Sequence, residues 1–363
     1  MSDVEVFRKY LEKTRLEIKL CLETHLTSQK PILAEIDDRV SNSLLDALIS
    51  FSGRGKMFRA AVLGLGFRTV DYRTEKEVPP LIQSGVELIQ SGLLIQDDIV
   101  DRDETRRGLP TIHRMFSTAY QDNETEGSKE DADEIGRGLA MVSSDLAIVL
   151  AYHLFLNSGF PADIIIKATG QLNSNLIKTA IGQAMDVALH SRSSECTDHI
   201  LKAALYKTAY YTVVGPMQLG ATLAGANEAL LANIETFGCN IGLAYQLRDD
   251  ILDIFPNVLS DNRRQWSDIS GNKRTFLIEN AIRMTSGKER DIFLKSLGKT
   301  DHSSEEMDTV REIIERSGAL SLTNEKAQSL ARQGEALIPC LTDNPSLAQL
   351  LRGVCCFAVD RED

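Results

Sequence analysis

The sequence predicts an all-α fold, and three observations carry the prediction. Strand-type alternation of apolar and polar residues is nearly absent, apolar residues recur at helical spacing along almost the whole chain, and Pro31, Pro79, Pro80 and Pro161 stand where helices would begin. A proline costs little in a first helical turn, because its missing N–H has no intrahelical partner there. Helices are therefore expected at about 3–26, 31–50, 57–70, 79–104, 135–157, 161–190, 197–225, 227–255 and 275–286, with shorter ones to the end. Two stretches interrupt the pattern. Ser117 to Glu134 is polar and acidic, and reads as a solvated or disordered loop. Pro256 to Arg274 is a long loop carrying Arg263, Arg264 and Lys273, and loops of that length are often functional lids.

A chain of 363 residues can bury a large core, and length alone would allow two domains. No Pro/Gly/Ser-rich linker or internal repeat divides it, so one domain over 1–363 is expected. The 52 acidic residues outnumber the 40 basic ones, and a net charge of -12 argues against nucleic acid or an anionic membrane as a general partner. The six cysteines (Cys21, Cys196, Cys239, Cys340, Cys355 and Cys356) show no zinc spacing, and no signal peptide precedes them. Unpaired thiols in a reducing, cytoplasmic setting are the expectation. No apolar run approaches the ~20 residues that span a bilayer, so no membrane span is expected.

The chemistry concentrates in two acidic clusters, Asp97-Asp98-Ile99-Val100-Asp101 and Asp249-Asp250-Ile251-Leu252-Asp253. Each closes an apolar, helix-patterned stretch. At about 3.6 residues per turn Asp97 and Asp101 share a face, as do Asp249 and Asp253. Carboxylates gathered this way raise each other's pKa unless cations join them, and magnesium, a hard ion that takes carboxylate and phosphate oxygens, suits the need. One such cluster alone is equally a solvated helix end or a fortuitous calcium site. Two copies, with Arg102, Arg106 and Arg107 directly after the first, describe a diphosphate site instead, because a guanidinium binds phosphate bidentately.

Around these clusters lie Gln96, Arg106-Arg107-Gly108-Leu109-Pro110-Thr111-Ile112-His113 and Tyr245-Gln246-Leu247-Arg248. Before, between and after them lie Gly55-Lys56-Met57-Phe58-Arg59, Gly182-Gln183-Ala184-Met185-Asp186, Tyr206-Lys207-Thr208 and Ser267-Asp268-Ile269-Ser270-Gly271-Asn272-Lys273. In content and order the chain resembles the trans-isoprenyl diphosphate synthases, specifically from about residue 50 to 286 and only in helical character beyond. The resemblance implies a helical bundle with a central cavity, and condensation of an allylic diphosphate with isopentenyl diphosphate. It also implies about three magnesium ions per active site and a homodimer.

Residue by residue, the resemblance makes Asp97, Asp101 and Asp249 direct magnesium ligands, with Asp98, Asp250 and Asp253 as further ligands or acting through water. Arg106, Lys207, Gln246 and Lys273 would hold the allylic diphosphate, and Thr208 and Gln183 would lie near the cationic carbon. Lys56, Arg59, Gln90 and Arg107 would bind isopentenyl diphosphate. Lys56 and Arg59, spaced i, i+3, would share a face near a helix start. Gly92 and Leu93, five and four residues before Asp97, would form the floor that limits chain length. Neither is aromatic, so the floor reads as open and geranylgeranyl diphosphate as the leading product. The chain departs from the family at Met57, where an arginine is usual, and at Ser144-Asp145, where many relatives carry glycine and aspartate. His113 reads as structural, and the basic lid residue could be Arg263 or Arg264. A terpene cyclase on the same fold, a farnesyl or longer-chain synthase and a non-catalytic subunit are the competing readings. The intact second cluster and the Lys56/Arg59 pair weigh against cyclase and inactive subunit.

Overall fold

Helices carry almost all of the chain in a computed structural model that describes residues 2–70, 77–106, 108–123, 128–189, 197–256 and 266–361 (122 and 123 by backbone alone). The first helix, α1 (Asp3–Ser52), starts in a capping box: the Ser2 hydroxyl accepts from Glu5 N–H while the Glu5 carboxylate accepts from Ser2 N–H. Two helices are expected there, parted near Pro31. Pro31 instead lies inside helix, and the break falls at Asp37 (φ -160°, ψ 111°). The Asp37 carboxylate accepts from Val40 N–H (2.8 Å) and so recaps the restarting helix, which a proline ring cannot do.

After α1 come α2 (Phe58–Arg68), α3 (Pro80–Val100), a two-residue antiparallel ladder of β1 (Thr105–Arg106) with β2 (Leu109–Pro110), α4 (Ile112–Asn123) and α5 (Lys129–Leu156). The expected loop at 117–134 is therefore mostly helix. Its acidity serves helix ends: Ser128 and Asp131 form a second capping box, Glu130 and Asp131 sit in the first turn of α5, and Asp133 is held by Arg114 (2.6 Å) and Ser117 (2.6 Å).

Next are α6 (Ala162–Leu189) and α7 (Thr197–Ala204), which runs into a π-helical stretch, Leu205–Val214, and then α8 (Gly215–Leu223) and α9 (Glu228–Ile254). The long loop expected after α9 is interrupted by α10 (Ser267–Ser270), while Arg263 and Arg264 lie outside the described residues. The chain ends in α11 (Phe276–Met284), α12 (Gly287–Ser296), α13 (Ser304–Ser317), α14 (Ala319–Ala336), α15 (Ile338–Leu341) and α16 (Pro345–Asp360).

Three apolar clusters hold these helices. Phe7, Phe58, Phe237 and Phe357 join α1, α2, α9 and α16; Leu45, Ile89 and Phe155 join α1, α3 and α5; Ile251, Trp266, Phe293 and Ile313 join the end of α9 to α12 and α13. Apolar side chains also remain outside. Val142, Val149 and Leu156 recur at seven-residue spacing on α5 and are exposed, as are Ile166, Ile177 and Ile181 on α6. Among the described residues α5 is the one helix long and apolar enough to cross a membrane by length and composition, which corrects the expectation that no run approaches that length.

The tightest contact is between α2 and α8. A Cβ on Gly66 would stand 2.1 Å from the Met217 carbonyl oxygen, and one on Gly220 would stand 2.1 Å from that of Leu63. Only glycine lets the two backbones approach so closely. Gly220→Val is expected to destabilise the protein by about 1–3 kcal/mol or more, since neither backbone can yield. Chemical denaturation of wild type and variant measures it.

Candidate active site

The ends of α3 and α9 carry the two acidic clusters, and neighbouring residues of the π-helical stretch connect them. Lys207 Nζ lies 3.3 Å from Asp97 Oδ1 and 2.6 Å from Asp186 Oδ2. One residue on, the Thr208 hydroxyl donates to Gln246 Oε1 (2.6 Å), and Gln246 Nε2 donates to Asp250 Oδ1 (2.7 Å). A π-bulge widens the helix and turns adjacent side chains to different neighbours, a common device at functional sites. Gly182 makes room for it, because a Cβ there would lie 2.2 Å from Lys207 N.

Cations interleave the carboxylates. Arg106 Nε donates to Asp98, while its Nη2 lies 3.6 Å from Asp97 and 3.5 Å from Asp103. Lys273 pairs with Asp101 and lies 3.8 Å from Asp268. Gln183 Nε2 donates to Asp97 Oδ1 (3.1 Å). Asp253 is tied to the following segment, accepting from Ser267 N–H (3.1 Å), the Ser267 hydroxyl (2.8 Å) and Asp268 N–H (2.9 Å).

The carboxyls divide electrostatically. Burial raises Asp97, but Lys207, Lys273 and Arg106 outweigh it and hold the group at about 2. Asp98, 1 % exposed, is pushed up to about 7 by burial, with Arg106 opposing. Burial and repulsion from Asp249 and Asp186 likewise take Asp250 to about 7. Lys207 and Lys273 resist burial and are held above the usual lysine value, Lys207 by Asp97 and Asp186, Lys273 by Asp268 and Asp101.

The donor set fits magnesium. The clustered side-chain donors are carboxylate oxygens, and Asp98 Oδ2 is buried without a hydrogen-bond partner. Among the described residues no three His, Cys, Asp or Glu side chains converge on one point. Bound magnesium would thus complete its shell with water or substrate oxygens, its usual habit.

Of the residues expected to take the second diphosphate, Arg59, Gln90 and Lys56 are described. Arg59 is buried, donates to Thr212 Oγ1 (2.8 Å) and lies 4.3 Å from the Tyr211 ring centre. Arg59 Nε and Gln90 Oε1 are both buried without partners, so each of these side chains is incompletely satisfied. Lys56 lies 5.7 Å over the Phe357 ring. The shared helical face expected for Lys56 and Arg59 is corrected: Lys56 precedes α2, and Met57 between them is left-handed (φ 55°). Arg107 falls outside the described residues. Gly92 also differs from expectation. A Cβ there would meet Ile148 Cγ1 at 2.9 Å and the Ser144 carbonyl oxygen at 3.0 Å, and Ser144 Oγ donates to Gly92 O (2.9 Å). It serves a close approach of α3 to α5 rather than an open space, while Leu93 is half-buried beside it.

Three contributors escape sequence reasoning. Asp186 sits in a quoted motif, but only the structure pairs it with Lys207. Asp268 is buried beside Asp253, and burial with that neighbour raises it well above the usual carboxylate range. Arg361, 1 % exposed, stacks 3.5 Å over the Tyr245 ring, donates to Tyr245 O (2.9 Å) and pairs with Asp249 Oδ1 (2.6 Å). The signal available for it was faint: a basic residue one turn after Phe357 at the end of an apolar helix.

The polyprenyl synthetase family model matches residues 42–314. The chain is 28% identical to a geranylfarnesyl diphosphate synthase of Natronomonas pharaonis, covering 99% of each chain. It is also 28% identical to a geranylgeranyl diphosphate synthase of Sulfolobus acidocaldarius, over 73% of this chain and 74% of that one. In structure it resembles a geranylgeranyl pyrophosphate synthase from Corynebacterium glutamicum, determined in complex with isoprenyl diphosphate and magnesium: the TM-score is 0.89 and the identity 26%, over 98% of this chain and 99% of that one.

The raised Asp250 carboxyl has a consequence for the metal-free protein. Its folded value of about 7 exceeds the ordinary 3.8, so between those pH values the folded state holds a proton that the unfolded state has released. Stability from this group is full below the lower value and is lost as pH rises toward the upper one. Urea denaturation at several pH values is expected to show wild type losing stability across that window relative to Asp250→Asn, and parallel curves would contradict the assignment.

Proposed function

As a member of the polyprenyl synthetase family the chain is a trans-prenyltransferase, and we propose that it condenses an allylic diphosphate with isopentenyl diphosphate, with magnesium, to give geranylgeranyl diphosphate. One observation carries the site assignment: Lys207 and Thr208, adjacent in sequence, tie the first acidic cluster to the second. The allylic C–O bond breaks with its electron pair leaving on diphosphate, the double bond of isopentenyl diphosphate attacks the resulting cation, and the new cation gives a proton to the released diphosphate, forming the double bond of the product. Magnesium, about three ions per site, would supply Lewis-acid stabilisation of the leaving group and be held by Asp97, Asp101 and Asp249, with Asp98, Asp250 and Asp253 behind them. Arg106, Lys207 and Lys273 neutralise the same diphosphate as its charge develops, and Gln246 holds Thr208 in place. The oxygens of Thr208 and Gln183 face the cation without being nucleophilic enough to trap it.

The second substrate belongs at Arg59, Gln90, Lys56 and Arg107. The unpartnered Arg59 Nε and Gln90 Oε1 support this, and a cyclase would have no use for such groups. A product of twenty carbons is favoured because position 93 carries leucine rather than an aromatic ring. With isopentenyl diphosphate and the ten-carbon primer geranyl diphosphate, mass spectrometry is expected to show the twenty-carbon product. Leu93→Phe should shift the products toward fifteen carbons, and wild type stopping at fifteen would overturn the assignment. Asp97→Ala should lower kcat by about two orders of magnitude or more, and full turnover in excess chelator would remove magnesium from the account.

The whole chain serves as one catalytic domain in this reading, as a cytoplasmic homodimer. The exposed apolar rows on α5 and α6 support a second copy as the occupant of that face, since a monomer rarely leaves so much apolar surface in water. Analytical ultracentrifugation is expected to give a dimer for wild type and a monomer for Ile177→Arg with Ile181→Arg. A monomeric wild type, or one that partitions into lipid vesicles, would contradict this.

A further inference from the structure

The segment from Trp266 to Lys273 touches both acidic clusters directly, Ser267 and Asp268 meeting Asp253 and Lys273 meeting Asp101, and it begins at the only tryptophan of the sequence. Trp266 has φ 72°, a left-handed conformation rare for a bulky side chain. Such a conformation persists only where surroundings impose it. Here the indole is 2 % exposed, packed in the cluster of Ile251, Ile254, Phe293 and Ile313. The His302 ring lies 5.5 Å from it, and the Arg311 guanidinium, itself donating to Ile254 O (2.9 Å), lies 5.2 Å away.

The left-handed turn has a direct result. Trp266 N–H donates to Asp253 O (3.0 Å), and the reversal that follows aims Ser267 N–H, the Ser267 hydroxyl and Asp268 N–H at the Asp253 carboxylate. Lys273 N–H then donates to Asp268 O (2.8 Å), and the Lys273 ammonium reaches Asp101 of the first cluster. Gly298 N–H secures the middle of the segment by donating to Ile269 O (2.8 Å).

We infer that Trp266 is a positioning residue for the prenyl transfer: its buried indole fixes the orientation of the Asp253 carboxylate and the reach of Lys273, so the α11–α13 cluster acts on the allylic diphosphate through this side chain. The inference rests on the assignment of Asp253 and Lys273 to the metal and diphosphate site. Arg59 and Gln90 are carried by other elements and should not respond.

Steady-state kinetics of Trp266→Leu and Trp266→Phe test it. Trp266→Leu is expected to lower kcat by about 10- to 100-fold, as for other residues that orient metal ligands. It should raise KM for the allylic substrate while KM for isopentenyl diphosphate stays within about twofold. Trp266→Phe, which refills most of the space, should recover most of the loss. In wild type, the emission of the single tryptophan should change saturably when magnesium and inorganic diphosphate are added together. Equal shifts in both KM values, no shift in either, or unchanged emission while calorimetry records diphosphate binding would overturn the inference. If Trp266→Leu fails to fold, Ser267→Ala leaves the indole in place and must show the same one-sided rise; a symmetrical effect overturns the inference as well. A wild-type protein inactive on every allylic diphosphate would strike the functional reading instead, and the emission change would still decide the link from Trp266 to the site.

Discussion

Repulsion among buried carboxylates is the constraint around which this molecule is built. Asp97, Asp98, Asp101, Asp249, Asp250 and Asp253, joined by Asp186 and Asp268, would not share one region without compensation. Lys207, Lys273, Arg106 and Arg361 supply it, each on a different element. At Asp250 burial, with repulsion from Asp249 and Asp186, pushes the carboxyl up to about 7.

The backbone features that look costly serve this arrangement. Lys207 and Thr208 face different clusters because the helix carrying them is widened to π geometry, and that widening needs the bare surface of Gly182. Two further glycines, Gly66 and Gly220, bring α8 against α2, so the π-helical stretch directly before α8 is held from its far end. The left-handed Met57 and Trp266 begin the segments that carry Arg59 and Lys273. The left-handed Met57 and the π-helical stretch each lie at or within a few residues of a proposed substrate contact, where strain is commonly stored.

Much of this was legible in the sequence, for reasons of range. The helical class follows from periodicity, and the acidic clusters from i, i+4 geometry, both local. The acidic stretch from 117 to 134 misled because charged residues favour solvated loops and helix first turns alike, and only the pairing of Asp133 with Arg114 separates the two. Pro31 misled because the restart of α1 is decided by the carboxylate cap of Asp37. Arg361 and Trp266 were invisible as site residues, since each acts across more than a helix's length through Asp249 and Asp253, contacts that no periodicity encodes. Gly92 was read by position as empty space, while its carbonyl and Cα are in fact engaged with α5.

The central claim is that both acidic clusters hold one metal–diphosphate assembly. A double-mutant cycle on Asp97→Asn and Asp249→Asn, read by calorimetric binding of inorganic diphosphate with and without magnesium, addresses it most directly. The account predicts magnesium-dependent binding and a coupling energy between the two positions above about 0.5 kcal/mol, the usual limit of additivity for independent sites. Additive effects, or binding that persists unchanged without magnesium, would contradict it.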